Sequence, residues 1–311
     1  MKLYPDTVLE FQDTFPDDEA CYRYLAALRW PEGFRCHHCG HRDAWKLKKS
    51  IYRCRGCLRD VTLTAGTIFH RTRSPLRLWF QAAWYIVNQK QGVSALGLQR
   101  ILGITKYETV WTWLHKFRTA MVRPGRDRLS GTVEVDETLV GGYEPGKPGR
   151  SHGTKSLVLV GVEDKGKEGF GRIRLTIIAD TSRSTLKCAL AEMVEPGSTV
   201  RTDGWAGYNG LAGWGYTHTV VDRTEEEVGK DPTPLVHRIA SLLKRWLMGT
   251  HHGRVESTHL PYYLNEFTFR FNRRKSRSRG QLFYRLMQQA MIVPPMPLKW
   301  LRATQKLSKV D

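Results

Sequence analysis

Three acids crowd into four positions of the stretch Thr132-Val-Glu-Val-Asp-Glu-Thr-Leu-Val-Gly-Gly142: Glu134, Asp136 and Glu137. Val133, Val135 and Leu139 alternate with Glu134, Asp136 and Thr138, which predicts a strand that two glycines end. Successive strand residues point to opposite faces, so Glu134 and Asp136 share a face and Glu137 does not. A buried carboxylate is expensive unless it is paired or bound to metal. A carboxylate pair on one face can hold a divalent cation, whereas a polar edge strand shows the same alternation and holds none. Further on, Asp203 ends the run Ser198-Thr-Val-Arg-Thr202 and precedes Gly204. The end of a strand is where a sheet presents its site residues. His237 and Lys244 lie seven residues apart after Thr233-Pro234. On a helix they share a face, roughly 10 Å apart along the axis.

A second constellation is made of cysteines. Cys36-His-His-Cys39 and Cys54-Arg-Gly-Cys57 are separated by fourteen residues. Two such pairs are a strong zinc signature, each forming a knuckle that presents two thiolates to one tetrahedral Zn²⁺. Four thiolates close the shell, so the ion is expected to be structural. Gly40 and Gly56 stand where knuckles need permissive backbone. His37 and His38 lie inside a knuckle and are not expected to be ligands. Trp45-Lys-Leu and Ile51-Tyr-Arg read as the strands of a zinc ribbon. Cys21 and Cys188 have no partner in the sequence and read as core residues.

Composition bounds the partners. The chain has 311 residues, enough for two or three domains. Lys plus Arg number 49 against 30 for Asp plus Glu, a net charge of +19. Such an excess calls for a polyanion, nucleic acid first and an anionic membrane surface second. No apolar run reaches the ~20 residues that span a bilayer. The N-terminus lacks the basic-then-apolar form of a secretory signal. A cytoplasmic protein is expected. Six cysteines in such a length do not make a disulfide scaffold.

The elements that must position these groups follow in order. Residues 8 to 29 read as helical, with Pro16 opening the longer piece. Ser74-Pro75 predicts a helix start, Ser as N-cap and Pro first. Residues 94 to 121 give two helices around a turn at Gly103, with Thr105 placed to cap the second. Leu96, Leu98, Ile101 and Leu102 are expected to face Val110, Trp113, Leu114 and Phe117. This is a helix-turn-helix pattern or an ordinary helical hairpin. As a reader, the second helix would bring Lys106, Tyr107 and Thr109 to base edges. Residues 141 to 155 read as a basic loop. Runs at 157–162 and 172–178 join the acidic strand in a three-stranded antiparallel sheet. A helix near 184–193 crosses over to a fourth strand at 198–202, and 216–221 is a fifth. Helices near 234–249 and 257–272 follow. Arg273, Arg274 and Lys275 open a basic run, either a phosphate-contacting strip or a solvated surface.

Strand order and motifs together resemble the DDE transposases of bacterial insertion sequences, in particular the ISXO-type branch with an N-terminal zinc ribbon. The resemblance covers nearly the whole chain. It rests on Val135-Asp-Glu-Thr138, Thr202-Asp-Gly-Trp-Ala-Gly-Tyr208, the run 242–253 and the run 263–274. It implies an α/β fold, an RNase H-like catalytic domain over 126–280. A helix and zinc ribbon over 1–73 and a helix-turn-helix domain over 74–125 precede it, and a tail over 281–311 follows. It implies that Asp136, Asp203 and His237 hold two Mg²⁺ (or Mn²⁺) ions about 4 Å apart, with Lys244 gripping a phosphate. The third residue of such sites is most often Glu followed by a cation seven residues on, and resembles a position that can be Asn or His in this branch. Glu266 with Arg273 has that spacing but lies farther from Asp203 than the family's usual gap, so His237 is preferred. The implied activity is cleavage of DNA at the element's ends and joining of the 3′ ends to target DNA. The implied partners are terminal inverted repeats, target DNA and further copies of the chain at the nucleoid. A catalytically inactive regulator that binds DNA through ribbon and helix-turn-helix, and a nuclease without strand transfer, fit the same motifs.

Overall fold

The computed structural model describes residues 3–123, 125–141, 155–220, 233–253 and 255–302. The chain divides into two compact units, Met1–Arg123 with Ser276–Asp311, and Pro124–Lys275. The architecture is mixed α/β.

The first unit begins with helices α1 (Val8–Thr14) and α2 (Asp18–Arg29). Pro16 lies between them, and the second helix is capped by Asp17, which accepts from the Ala20 amide at 2.8 Å. Acids in its first turn and Arg29 in its last complement the helix dipole. A three-stranded antiparallel ribbon follows: β1 (Ala44–Lys48), β2 (Ile51–Cys54) and β3 (Asp60–Thr62). Helix α3 (Leu76–Asn88) has Pro75, not Ser74, in the capping position, and no side chain caps it. Helices α4 (Ala95–Leu102) and α5 (Tyr107–Ala120) enclose a turn that Gly103 makes in the left-handed region at φ 63°. Lys106 rather than Thr105 is the N-cap of α5, and it makes no side-chain cap bond. Thr105 instead accepts on its carbonyl from Gln99 Nε2 at 3.0 Å. Leu98, Val110, Trp113, Leu114 and Phe117 are buried as expected, but Leu96 and Ile101 are exposed. Those two lie on the outer side of α4, where the helical stripe is wider than its contact.

Residues that read as a tail continue this unit. Helix α9 (Arg279–Ala290) starts at a Ser278 cap, and α10 (Leu298–Arg302) closes the described chain. Phe283 of α9 is fully buried. It packs against Phe11, Phe15, Phe80 and Trp84 with ring centroids 5.7–5.8 Å apart. Edge-on and tilted rings at this spacing are favourable beyond their area. Cys21 is buried as read; Cys188, in the second unit, is exposed.

The second unit is built on one five-stranded sheet in the order β6-β5-β4-β7-β8. Its strands are β4 (Thr132–Val140), β5 (Ser156–Asp164), β6 (Phe170–Ile178), β7 (Thr199–Thr202) and β8 (Thr217–Val220). β4, β5 and β6 pair antiparallel, whereas β7 and β8 run parallel to β4. Helix α6 (Arg183–Met193) makes the crossover between the two halves. One face of the sheet buries Val133 and Val135 with Leu186, Leu190 and Tyr208. The other buries Val140, Val158 and Val160 against α7 (Pro234–His251) and α8 (Leu260–Asn272). β4 is therefore central and covered on both faces, not a polar edge strand. Most of the basic loop, 142–154, and Val221 of the expected fifth strand lie outside the described residues. No helix among the described residues is long and apolar enough to cross a membrane.

The aromatic cluster ties α9 to the N-terminal helices. Phe283→Ala is expected to cost the first unit about 3–5 kcal/mol, read by urea unfolding. Ending the chain at Lys275 should expose the same cluster and open residues 1–123 to limited proteolysis.

Candidate functional site

Of the three acids of β4, Glu134 and Asp136 meet the start of α7, and Glu137 meets the turn after β7. The parallel register pairs Glu134 with Arg201. Continued by two residues, it sets Asp136 level with Asp203, just past the end of β7. Helix α7 enters over the same face. Thr233, at its N-cap position, donates its hydroxyl to Asp136 Oδ2 at 2.9 Å. One turn on, His237 Nε2 lies 3.2 Å from the same oxygen. Asp136 Oδ1 accepts from the Glu137 amide at 2.7 Å. Burial raises the Asp136 carboxyl above the ordinary range, and the Asp203 charge raises it further. Thr233, the Glu137 amide and His237 pull the other way.

Thr233 does not cap its own helix. Its hydroxyl faces Asp136, and the capping acceptor comes from β4. Glu134, fully buried, takes the Val236 amide on Oε1 at 2.7 Å. A carboxylate at a helix N-terminus meets both free amides and the positive end of the dipole. Burial nonetheless raises its pKa. Arg201 Nη1, 3.9 Å from Oε2, is its charge partner.

Glu137 lies on the opposite face, as alternation requires. It accepts a hydrogen bond from the buried Tyr208 hydroxyl. Burial lifts the Glu137 pKa to about 7, with the neighbouring charges of Asp136 and Asp203 adding to it. Tyr208 closes the turn that begins at Asp203. Asp203 Oδ1 accepts from the Trp205 amide at 3.0 Å. Gly204 takes φ 82°, a conformation that favours glycine. Gly207 passes so close to Thr181 that a Cβ would sit 2.5 Å from its carbonyl oxygen. Each residue of the Asp203–Tyr208 motif except Ala206 thus has a local reason.

The register sets Asp203 level with Asp136, and His237 meets Asp136, so two carboxylates and an imidazole lie beside the end of β7. Two carboxylates so placed repel, and a divalent cation between them reverses the sign. Oxygen donors suit Mg²⁺ or Mn²⁺, and imidazole is an acceptable third ligand. The donor types suit such an ion, whereas the three ligand atoms are not gathered within 4.8 Å of one another as the four cysteine sulfurs are. Glu266 is elsewhere: it is buried on α8, and Arg270 donates to its carboxylate at 2.7 and 2.9 Å. His237, not Glu266, touches Asp136. Lys244 lies two turns beyond His237 on α7, and burial, then the charge of Lys155, lowers its pKa.

The four cysteines converge as their spacing predicts. Their sulfurs lie within 4.8 Å of one another, with Cys36 to Cys57 at 3.8 Å and Cys39 to Cys54 at 3.5 Å. A tetrahedron of Zn–S bonds of about 2.3 Å has edges of about 3.8 Å. Among the described residues this is the group that gathers its ligand atoms so tightly. The two knuckles match: Gly40 donates to the Cys36 carbonyl at 2.9 Å and Leu58 to that of Cys54 at 3.0 Å. Gly40 has φ 75°, but its counterpart is Leu58 at φ 58°, not Gly56. Gly56 is needed for space instead, since a Cβ there would meet His41 at 2.9 Å.

Residues 128–272 match the ISXO2-like transposase domain, and residues 16–60 match the transposase zinc-ribbon domain. The chain belongs to this transposase family. It is also 27% identical over 277 residues to an uncharacterised protein in transposable element ISH50 of Halobacterium salinarum. That alignment covers 83% of this chain and 92% of the relative. The transposase domain thus contains Asp136, Asp203, His237, Lys244 and Glu266, and the ribbon match contains all four cysteines.

The remaining expected DNA contacts of this transposase are scattered. Lys106 and Tyr107 are exposed at the start of α5, and Thr109 is half-buried. Arg273 lies over the Phe269 ring at 4.2 Å. The Arg274 guanidinium lies over Phe271 and donates to the carbonyls of Phe170, Gly171 and Phe271, so its donors are engaged within the fold. Lys275 is exposed. In the sequence Thr233 marks only a helix start, and nothing there assigns the partners of Glu134 or Tyr208. The Thr-Pro pair and the Asp203–Tyr208 motif were the available signals.

The cysteine geometry makes a direct prediction. Cys36→Ser or Cys54→Ser should release zinc and loosen the ribbon, because metal affinity in a small ribbon is folding energy. Metal analysis of protein purified under reducing conditions reads the loss; about one zinc per wild-type chain is expected.

Proposed function

We propose that this transposase cuts DNA at the ends of its own insertion sequence and joins the freed 3′ ends to target DNA. The observation that carries this reading is the meeting of His237 with Asp136, level with Asp203, in the matched domain. The strand order β6-β5-β4-β7-β8 supports an RNase H-like catalytic domain. The third member of the site is then His237.

Divalent ions bound by this set supply Lewis-acid activation of a water or 3′-hydroxyl and stabilise the leaving oxygen. The protein's own part is positioning. Asp136 would be one of the residues that hold the ions, and it is itself held between Thr233, the Glu137 amide and His237. Asp203 approaches from the turn after β7. His237 is brought by the first turn of α7. Lys244, two turns along the same helix, offers a cation to a phosphate flanking the scissile one. Its lowered pKa marks partial desolvation, which strengthens its pull on an anion.

DNA recognition is assigned to the first unit. Helices α4 and α5 act as a helix-turn-helix whose second helix presents Lys106 and Tyr107, with Thr109 behind them. The zinc ribbon adds to the contact, and the net charge of +19 supplies the sequence-independent part. From the second unit, Lys275 and Arg273 add phosphate contacts. Pairing two DNA ends calls for more than one copy of the chain.

The catalytic assignment predicts a pattern. Asp136→Asn, Asp203→Asn and His237→Ala should each lose cleavage by at least about 100-fold while binding element ends as wild type does. Glu266→Gln should keep its cleavage chemistry in whatever fraction folds. Cleavage and strand transfer are read on a plasmid carrying the element's flanks with Mg²⁺ or Mn²⁺. End binding without any nick in wild type would favour the inactive regulator, and nicks without joining the nuclease. For the reading helix, Lys106→Ala with Tyr107→Ala should reduce preference for element ends over random DNA. Unchanged footprints would reduce α4 and α5 to a hairpin.

A further inference from the structure

The acids that flank Asp136 have no part in that chemistry, yet each is bonded to the element that carries one of its co-ligands. Glu134 takes the Val236 amide, so it holds the first turn of α7, and His237 is the next residue. Glu137 takes the Tyr208 hydroxyl, so it holds the far end of the turn that starts at Asp203. The two bonds leave β4 on opposite faces; the Glu134 bond is buried, and the Glu137 bond is half-buried against the buried Tyr208.

We infer that Glu134 and Glu137 are positioning residues that set the spacing of the cation site, Glu134 by fixing His237 and Glu137 by fixing Asp203. This deepens the assignment of Asp136, Asp203 and His237 to a divalent cation and rests on it. The physical case starts with cost. A carboxylate buried for stability alone is a poor choice, since an apolar residue of the same size is often as good. Here Glu134 is buried and Glu137 half-buried beside Asp136 on one strand, and the Asp136 charge adds to the cost of Glu137. What each obtains is a short, directional bond to a particular backbone or hydroxyl donor. Such bonds fix distance more closely than apolar packing does.

The α7 tether has an independent sign. The helix begins with Thr and Pro, a pair suited to capping itself, but no side-chain cap bond forms there. The Thr233 hydroxyl goes to Asp136 and the Val236 amide to Glu134. Two bonds from adjacent same-face positions of β4 thus pin one helical turn. The turn after β7 has its own sign. Gly204 and Gly207 allow the chain to coil tightly, and Trp205 donates its ring nitrogen to the Thr181 carbonyl at 3.3 Å. The Tyr208 bond to Glu137 then carries that compact turn back to β4.

The test needs neither DNA nor turnover. Mn²⁺ binding to the full zinc-loaded chain is read from the paramagnetic resonance of free Mn²⁺. Tyr208→Phe removes one oxygen and Glu134→Ala one acceptor; both should weaken Mn²⁺ binding about tenfold or more, as loss of outer partners does at metal sites. Glu134→Gln retains an acceptor for the Val236 amide and should recover most of the affinity. Ile173→Ala, in the core on β6, serves as a control that lowers the melting midpoint without touching either bond. If Tyr208→Phe and Glu134→Ala bind Mn²⁺ no more weakly than Ile173→Ala, the two acids serve stability alone and the inference is overturned. Where Glu134→Ala does not fold, Tyr208→Phe decides. If wild type and Asp136→Asn bind Mn²⁺ alike, the cation site itself has failed, a result distinct from an intact site that is indifferent to its tethers.

Discussion

A central strand covered on both faces cannot carry three carboxylates unless each has a partner. That constraint organises the second unit. Both faces of β4 are packed, Glu134 is fully buried and Asp136 and Glu137 are half-buried, so each acid is best met by a donor from a neighbouring element. Glu134 is met by the helix start, Asp136 by Thr233 and His237, and Glu137 by Tyr208. The donors come from places far apart in the sequence. Their convergence is a condition of burying the strand at all, and the site is built where that condition is strictest.

The sheet order makes the convergence possible. Three antiparallel strands alone would put the end of β4 beside a hairpin. The crossover through α6 instead lays β7 parallel to β4, so that both strands end on the same side. Asp136 and Asp203 then stand level without either strand bending. Val133 and Val135 bury the opposite face under α6, which fixes the register against slipping. A slip of one residue would send Asp136 into that apolar layer.

Much of this was legible in the sequence because it depends on period and spacing. Alternation in Val133–Thr138 placed Glu134 and Asp136 together and Glu137 apart. Paired cysteines foretold the metal cluster, and Thr233-Pro234 the start of α7. What escaped depends on contacts between elements. A hairpin stripe does not say how wide its neighbour is, so Leu96 and Ile101 fit an inward face by spacing and yet stand exposed. Thr105 looks like a cap until its carbonyl is claimed by Gln99. The knuckle rule pointed to Gly56, but the left-handed residue is the one after the second cysteine, here Leu58. Glu266 carries the right spacing to its cation, and only the fold shows its carboxylate held by Arg270. Arg274 reads as a phosphate contact until its donors are found on backbone carbonyls.

An imidazole in place of a third carboxylate changes the electrostatics of the proposed site. Asp136, Asp203 and His237 bring two carboxylates where two acids and a Glu bring three. Affinity for hard cations rises with the charge and oxygen count of the ligands, so this set starts weaker. Less charge also means less mutual repulsion among the ligands before any cation arrives, and less repulsion toward the DNA phosphates that must enter. The chain compensates for neither effect at long range: its +19 charge draws DNA in but repels free cations. Cation affinity must then come from geometry, from ligands already held at the right spacing so that little order is lost on binding. A site with fewer charges depends more on the bonds behind it, and those bonds run through Glu134, Thr233, Glu137 and Tyr208.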